Sequence, residues 1–149
     1  AHHPVKLEYP LTLELDGATW NGRADRIDQP SPGILRIVDH KTSASIASQR
    51  DAANSLQLGF YLLAARADDE LSAVGTASLA ELWYPAAKEK NFRRSFSVDQ
   101  LPSVRDTLVE IGVGIRAENW DPISGTHCGR CAVRRVCPLW PEGEEGFIP

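Results

Sequence analysis

The sequence has no methionine, no cysteine before position 128, and no apolar run near the ~18 residues a membrane-spanning helix needs. No basic-then-apolar leader pattern opens it. These absences argue against a membrane partner and a secretory route, and they set the cytoplasm as the expected compartment. Beginning Ala1-His2-His3-Pro4 and lacking methionine, the chain reads as a piece of a longer protein with a tag remnant at its start. An excess of positive charge is missing too. Sixteen Lys and Arg face 20 Asp and Glu, for a net charge of −4. Contact with nucleic acid would therefore have to rest on local basic surface. Lys88, Lys90, Arg93 and Arg94 form one such cluster and Arg130, Arg134 and Arg135 another, although solvated faces look the same.

The length of 149 residues fits one domain with a proper core. Lys6–Leu15 alternates imperfectly through Leu7, Leu11, Leu13 and Leu15 and predicts a strand. Asp16-Gly17 is a hairpin signal, and a second strand is expected over about Thr19–Asp28. Pro30, Pro32 and Gly33 break the chain before a third strand, Leu35–Lys41. Three strands with short turns predict an antiparallel meander. From about Asn54 to Ala67 the spacing of Leu56, Phe60, Leu63 and Ala67 is helical, and Leu58 and Leu62 make the helix apolar on more than one side, hence well buried. Ser78–Tyr84 and Phe92–Ser97 read as paired strands. A second helix runs from near Asp99 to Ala117 on an apolar stripe of Leu101, Val104, Leu108, Ile111 and Ile115. The order β-β-β-α-β-β-α predicts an α/β fold, a mixed sheet flanked by helices. A core over 1–119 would be followed by a cysteine-bearing tail over 120–149, packed on it.

Asp39 and Lys41 are two apart on the third strand and so project from one face, and Asp25 on the neighbouring strand can meet them across the hairpin. Two carboxylates with one lysine suit a hard divalent cation such as Mg²⁺ or Mn²⁺, because both prefer oxygen ligands. The ammonium can position the attacking water and offset charge developing on a phosphate. An Asp-x-Lys motif alone is equally a surface salt bridge, with Asp25 paired to Arg23 or Arg26. Context sharpens it: the motif ends an apolar strand, follows a Gly-x-x-Asp strand, and precedes a helix with Gln57 and Tyr61 four apart on one face.

Taken together, Gly22-x-x-Asp25-Arg26-x-Asp28, Val38-Asp39-His40-Lys41-Thr42 and Gln57-x-x-x-Tyr61 resemble the RecB-type nuclease pattern of the PD-(D/E)xK superfamily, over about Glu8–Pro138. The resemblance implies a restriction-endonuclease-like fold and a metal-dependent deoxyribonuclease of exonuclease type. Asp25 and Asp39 would bind metal, with a ligand from the backbone carbonyl of His40 and an acidic contribution from Glu8. Lys41 would assist the water, while Gln57 and Tyr61 would orient the site and contact DNA. The His40 side chain should point away from Asp39, so its imidazole is not counted as a ligand. Lys88, Lys90, Arg93 and Arg94 would flank the DNA path.

Cys128, Cys131 and Cys137 are clustered and odd in number, which suggests metal ligation in place of a disulfide framework. The spacing Cys-x₂-Cys-x₅-Cys-Pro resembles the C-terminal triplet of the AddB-like branch, which implies a [4Fe–4S] cluster completed by a distant upstream cysteine. No fourth cysteine is present, and His127 directly adjoins Cys128. A metal-binding histidine usual to the family, on a helix before the first strand, is also missing, because His2 and His3 are too close to Glu8. Both missing elements belong upstream, so the cluster is expected in a longer parent and the isolated chain is expected to lack it or hold it incompletely. The stretch Glu142-Gly143-Glu144-Glu145-Gly146 resembles the end of actinobacterial helicase–nuclease subunits. The reading is therefore a DNA nuclease that processes double-strand ends in recombination and repair, joined to a helicase domain or subunit. Its rival is a catalytically silent DNA-binding or scaffold module of the same fold.

Overall fold

Asp16 and Gly17 lie at φ 50° and 72°, the pair of left-handed residues that a two-residue type I′ turn requires. They join β1 (Pro4–Leu15) to β2 (Ala18–Ser31) through the closing pair Leu15↔Ala18. Pro32 and Gly33 make the next turn, under the pair Ser31↔Ile34. Proline presets the first φ and Gly33 supplies 72°-like freedom at φ 75°. β3 (Gly33–His40) follows, and the three strands form the expected antiparallel meander. The computed structural model describes residues 4–140. His2, His3 and the Glu142–Gly146 stretch lie outside the described residues.

Pairing of β3 with β4 (Gly75–Trp83) is parallel, so the chain must cross over between them. Residues 41–74 provide the crossover as α1 (Gln49–Ala53), α2 (Leu56–Ala67) and α3 (Asp69–Val74). The sequence reading foresaw only α2. The other two are five and six residues long, too short to show a period, and are marked only by their caps. Ser48 accepts from the Asp51 N–H at 3.1 Å, and Asp68 accepts from the Leu71 N–H at 2.9 Å. β5 (Arg93–Ser95) returns antiparallel to β4, completing a five-stranded mixed sheet in the order β1-β2-β3-β4-β5. α4 spans Leu101–Arg116.

β3 is central, and Leu35, Ile37 and Val38 are all fully buried, as expected of a strand covered on both faces. α2 buries seven of its residues and lies against β1, β2, β3 and β4. Its approach to α4 is close: a Cβ on Gly59 would stand 2.6 Å from a Val104 methyl. Leu101, Val104 and Leu108 of α4 are buried, but Ile111 and Ile115 are 37% and 48% exposed, so the buried stripe ends sooner than its sequence pattern does.

The chain divides into two compact units, Ala1–Gly112 and Val113–Pro149. The first contains every buried residue among those described. In the second, five backbone N–H bonds to the carbonyl three residues earlier succeed one another, from Cys128 to Gly125, Cys131 to Cys128, Arg134 to Cys131, Cys137 to Arg134 and Trp140 to Cys137. Local turns hold this unit, with the Arg134 guanidinium 4.0 Å over the Trp140 ring.

Candidate active site

The register decides which acidic residues can meet. Arg26 pairs with Val38, so one step further along the hairpin Asp25 stands opposite Asp39. On the other side, Leu7↔Arg26 and Tyr9↔Ala24 set Glu8 opposite Asp25. Glu8, Asp25 and Asp39 therefore occupy one row across β1, β2 and β3. β2 is irregular at this row, since Ala24 and Ile27 are three apart and yet both belong to the core, and Glu8 itself has φ 46°. Glu8 is exposed, and no three or more His, Cys, Asp or Glu side chains are grouped to hold a metal ion among the described residues.

Asp39 is 5% exposed and faces α2. Its Oδ1 accepts a hydrogen bond from Gln57 Nε2 at 2.9 Å, the same nitrogen donates to the Tyr61 hydroxyl at 2.9 Å, and Lys41 Nζ donates to Gln57 Oε1 at 3.0 Å. An ionised carboxylate only accepts and an ammonium only donates, so this arrangement admits one orientation of the Gln57 amide. The ammonium also lies 2.7 Å from Asp39 Oδ2, but off the hydrogen-bonding direction, which leaves that buried oxygen without a hydrogen-bond partner. Burial holds the Tyr61 phenol above its ordinary pKa. The Gln57 hydrogen bond opposes this, the charges of Asp39 and Asp25 add to it, and Lys41 opposes it.

Asp25 Oδ2 accepts the His40 backbone N–H at 2.6 Å. The His40 imidazole, expected to turn away from Asp39, brings Nδ1 within 3.7 Å of Asp25 Oδ2 and sets its ring edge-on to Trp83. The glycine of the Gly-x-x-Asp strand has a packing reason. A Cβ on Gly22 would stand 2.5 Å from the Phe60 ring and 3.0 Å from the Tyr61 ring.

The donor set fits a hard divalent cation. Asp39 offers Oδ2, which accepts no hydrogen bond although Lys41 Nζ lies 2.7 Å away, and the Asp25 carboxylate in the same row is 31% exposed. The cysteines fit their expected group less well. All three are partly buried free thiols, they are not grouped for metal among the described residues, and a cubane cluster takes four thiolates. The Gly125 N–H donates to Cys128 Sγ at 3.3 Å.

The basic residues divide. Lys88, Lys90 and Arg93 are exposed, whereas Arg94 donates to the carbonyls of Ala47, Asn91 and Arg93 at 3.0, 3.0 and 2.8 Å and so braces the β4–β5 loop. The sequence reading left out a second charged group. Asp28 is fully buried and accepts from Arg26 Nε at 2.7 Å and from Arg36 Nη2 at 2.9 Å. Glu81 accepts the Trp83 indole N–H at 2.6 Å and lies 3.9 Å from Arg36 Nε. Arg26 and Asp28 are two apart on β2, within the Asp25-Arg26-x-Asp28 stretch, whereas only cross-strand register brings Arg36 and Glu81 to them.

Comparison with known proteins agrees with the fold. No curated protein matches the chain. Among solved structures, the crystal structure of SSO0001 superposes with a TM-score of 0.55 at 20% identity, covering 90% of this chain. The chain spans 60% of the length of that structure, and the likeness concerns the fold alone. A sequence profile of the PD-(D/E)XK nuclease superfamily matches residues 1–138. That match runs across all five strands and all four helices, and the chain belongs to the PD-(D/E)XK nuclease superfamily.

Proposed function

We propose that this chain is the nuclease domain of a DNA-processing enzyme and that Asp25, Asp39, Lys41, Gln57 and Tyr61 form its active site. The observation that carries the reading is the Gln57 amide, which ties Asp39, Lys41 and Tyr61 into one network and leaves a carboxylate oxygen without a hydrogen bond. Asp25 and Asp39 would hold Mg²⁺ or Mn²⁺, with the His40 carbonyl and Glu8 as further oxygen donors. A divalent cation there supplies Lewis acidity toward a phosphoryl oxygen and a lowered pKa for water. Lys41, held by Gln57 Oε1, presents positive charge where the phosphate becomes more negative and orients the incoming water. Gln57 fixes the Asp39 carboxylate, and the Tyr61 phenol stays protonated and available as a donor to a phosphate oxygen. Lys88, Lys90 and Arg93 would follow the DNA backbone, which carries no sequence information.

The finer identity is proposed with it: an exonuclease-type domain of the AddB-like branch, working with a helicase domain or subunit on double-strand ends. Cys128, Cys131 and Cys137 would bind a [4Fe–4S] cluster only with a fourth ligand from outside this chain. A silent DNA-binding module is the second reading, because no three or more His, Cys, Asp or Glu side chains are grouped to hold a metal ion among the described residues.

Crystals soaked in Mn²⁺ separate the two. The nuclease reading expects an anomalous peak between Asp25 and Asp39, together with Mn²⁺-dependent cleavage of an oligonucleotide. DNA binding without either result would leave the silent module standing.

A further inference from the structure

Trp83 ends β4 and pairs in parallel register with His40, which brings its indole to the same end of the sheet as Asp25 and Asp39, on the face opposite Asp39. A single imidazole links them. His40 Nδ1 is 3.7 Å from Asp25 Oδ2, and the His40 and Trp83 rings meet edge to face with centroids 5.9 Å apart. Phe92 meets the same indole nearly at right angles, with centroids 6.1 Å apart. The indole N–H is held by Glu81, so the ring plane is fixed before any ligand arrives.

Three guanidinium groups lie over this ring, Arg93 at 4.2 Å, Arg36 at 5.3 Å and Arg26 at 5.9 Å from its centroid. Arg26 and Arg36 are fastened to the buried Asp28. Arg93 differs. It is exposed, and among the described residues it has no ion-pair partner; it rests on Trp83 and, at 5.2 Å, on Phe92. A cation held over an aromatic face in water is worth little, so a flat ligand with its own π face can take that position. Three arginines against Asp28 and Glu81 leave the patch with positive charge, and Lys88 and Lys90 stand exposed on the same β4–β5 connection.

We infer that Trp83 is a base-stacking platform that receives single-stranded DNA at the sheet end that carries the Asp25–Asp39 site, with Arg93 leaving the ring to meet a phosphate. An unpaired nucleotide fits because a base inside a duplex has both faces covered, whereas a single strand offers its faces to aromatic side chains and its backbone to cations. The inference rests on the nuclease reading and adds to it the strandedness of the DNA and the side chain that grips it.

The test compares oligothymidylate, an abasic strand of equal length and a duplex, all in EDTA so that cleavage plays no part. The 149-residue chain carries four tryptophans, so Trp83→Phe identifies the one that responds. Expected results are a fluorescence quench by oligothymidylate that Trp83→Phe loses, and roughly ten-fold tighter binding of oligothymidylate than of the abasic strand. Trp83→Ala should remove that preference while keeping the affinity for the abasic strand. Equal binding of normal and abasic strands by the unaltered chain would overturn the platform, and so would a preference for duplex. Cleavage in Mn²⁺ is scored separately. A chain that cuts but ignores bases refutes stacking alone, and one that stacks but never cuts refutes the nuclease reading alone.

Discussion

The two faces of the sheet handle charge differently at the end of β3. On the α2 side, Asp39 meets one ammonium, Lys41 Nζ at 2.7 Å from Oδ2, and the Gln57 amide bridges the same two groups by accepting from Lys41 and donating to Asp39 Oδ1. On the opposite side, Asp28 is fully buried between two guanidinium groups, those of Arg26 and Arg36. A buried carboxylate with two guanidinium partners is neutralised, and it fixes β2 against β3. One with a single ammonium partner and an oxygen that accepts no hydrogen bond keeps a position where a further cation can be rewarded. The Asp39 arrangement leaves a position for a cation, and the Asp28 pairs hold β2 against β3. Asp25 sits where they meet, bonded to the His40 backbone and within reach of its imidazole.

The sharpest way to break this comparison is to treat both acids alike. Asp39→Asn and Lys41→Ala should each lower the rate of metal-dependent DNA cleavage by more than about 100-fold, or ~3 kcal/mol, through loss of a ligand or of charge support at the phosphate. DNA binding in EDTA should change little, and so should the urea midpoint of Asp39→Asn, because the Lys41 side chain it leaves is 35% exposed to solvent. Single-turnover cleavage at the unaltered rate in both variants would remove Asp39 and Lys41 from the chemistry.

Asp28→Ala should do the reverse. It leaves Arg36, only 8% exposed, without its carboxylate, and breaking a buried pair from one side typically costs about 3–5 kcal/mol. Replacing Asp28 and Arg36 together with apolar residues of similar volume should recover most of that loss, since neither charge is then stranded. Urea unfolding of the three proteins checks it. A single variant as stable as the parent chain would mean that the buried acid is not a structural tie.

Gly22→Ala lies between these effects. The added Cβ meets the Phe60 and Tyr61 rings at 2.5 and 3.0 Å, and overpacking of this kind typically costs about 1–3 kcal/mol. Because Tyr61 accepts from Gln57, displacement of its ring should reach Asp39 as well. The expected outcome is a lower urea midpoint together with slower cleavage; a loss of stability alone would show that the glycine serves packing only.

Local signals made the meander and α2 readable. Asp16-Gly17 and Pro32-Gly33 announce their turns through backbone preferences that need no tertiary contact, and α2 shows its burial through apolar residues on several sides. The crossover helices α1 and α3 rest on caps and neighbours, which no periodicity records. In the site, Asp39 and Lys41 are legible because strand alternation fixes their shared side. The reach of His40 to Asp25 is not, since strand alternation alone would turn the two side chains to opposite faces. The partner of Asp28 is likewise invisible, because Arg36 is eight residues away in sequence and directly opposite in register. Arg94 shows a further limit, for sequence reveals a guanidinium and not the three carbonyls that it faces.

Arg94 also gives the finest discrimination between a side chain that holds the fold and one left free to meet DNA. Lys88, Lys90 and Arg93 are exposed and, among the described residues, have no ion-pair partner, so each is free to displace a counterion from a phosphate. Replacing any one with alanine should weaken binding of DNA in EDTA by only a few-fold, and should flatten the dependence of log affinity on log salt by about one unit per lost contact. Arg94→Ala should leave that slope unchanged while loosening the loop between β4 and β5, because its guanidinium ties Ala47 to Asn91 and Arg93. Amide exchange across residues 85–92 would register the loosening, and affinity titrations over a range of salt would register the slope. If Arg94→Ala flattens the slope as much as Lys88→Ala does, the guanidinium leaves its carbonyls when DNA arrives, and the division between bracing and binding residues on this connection fails.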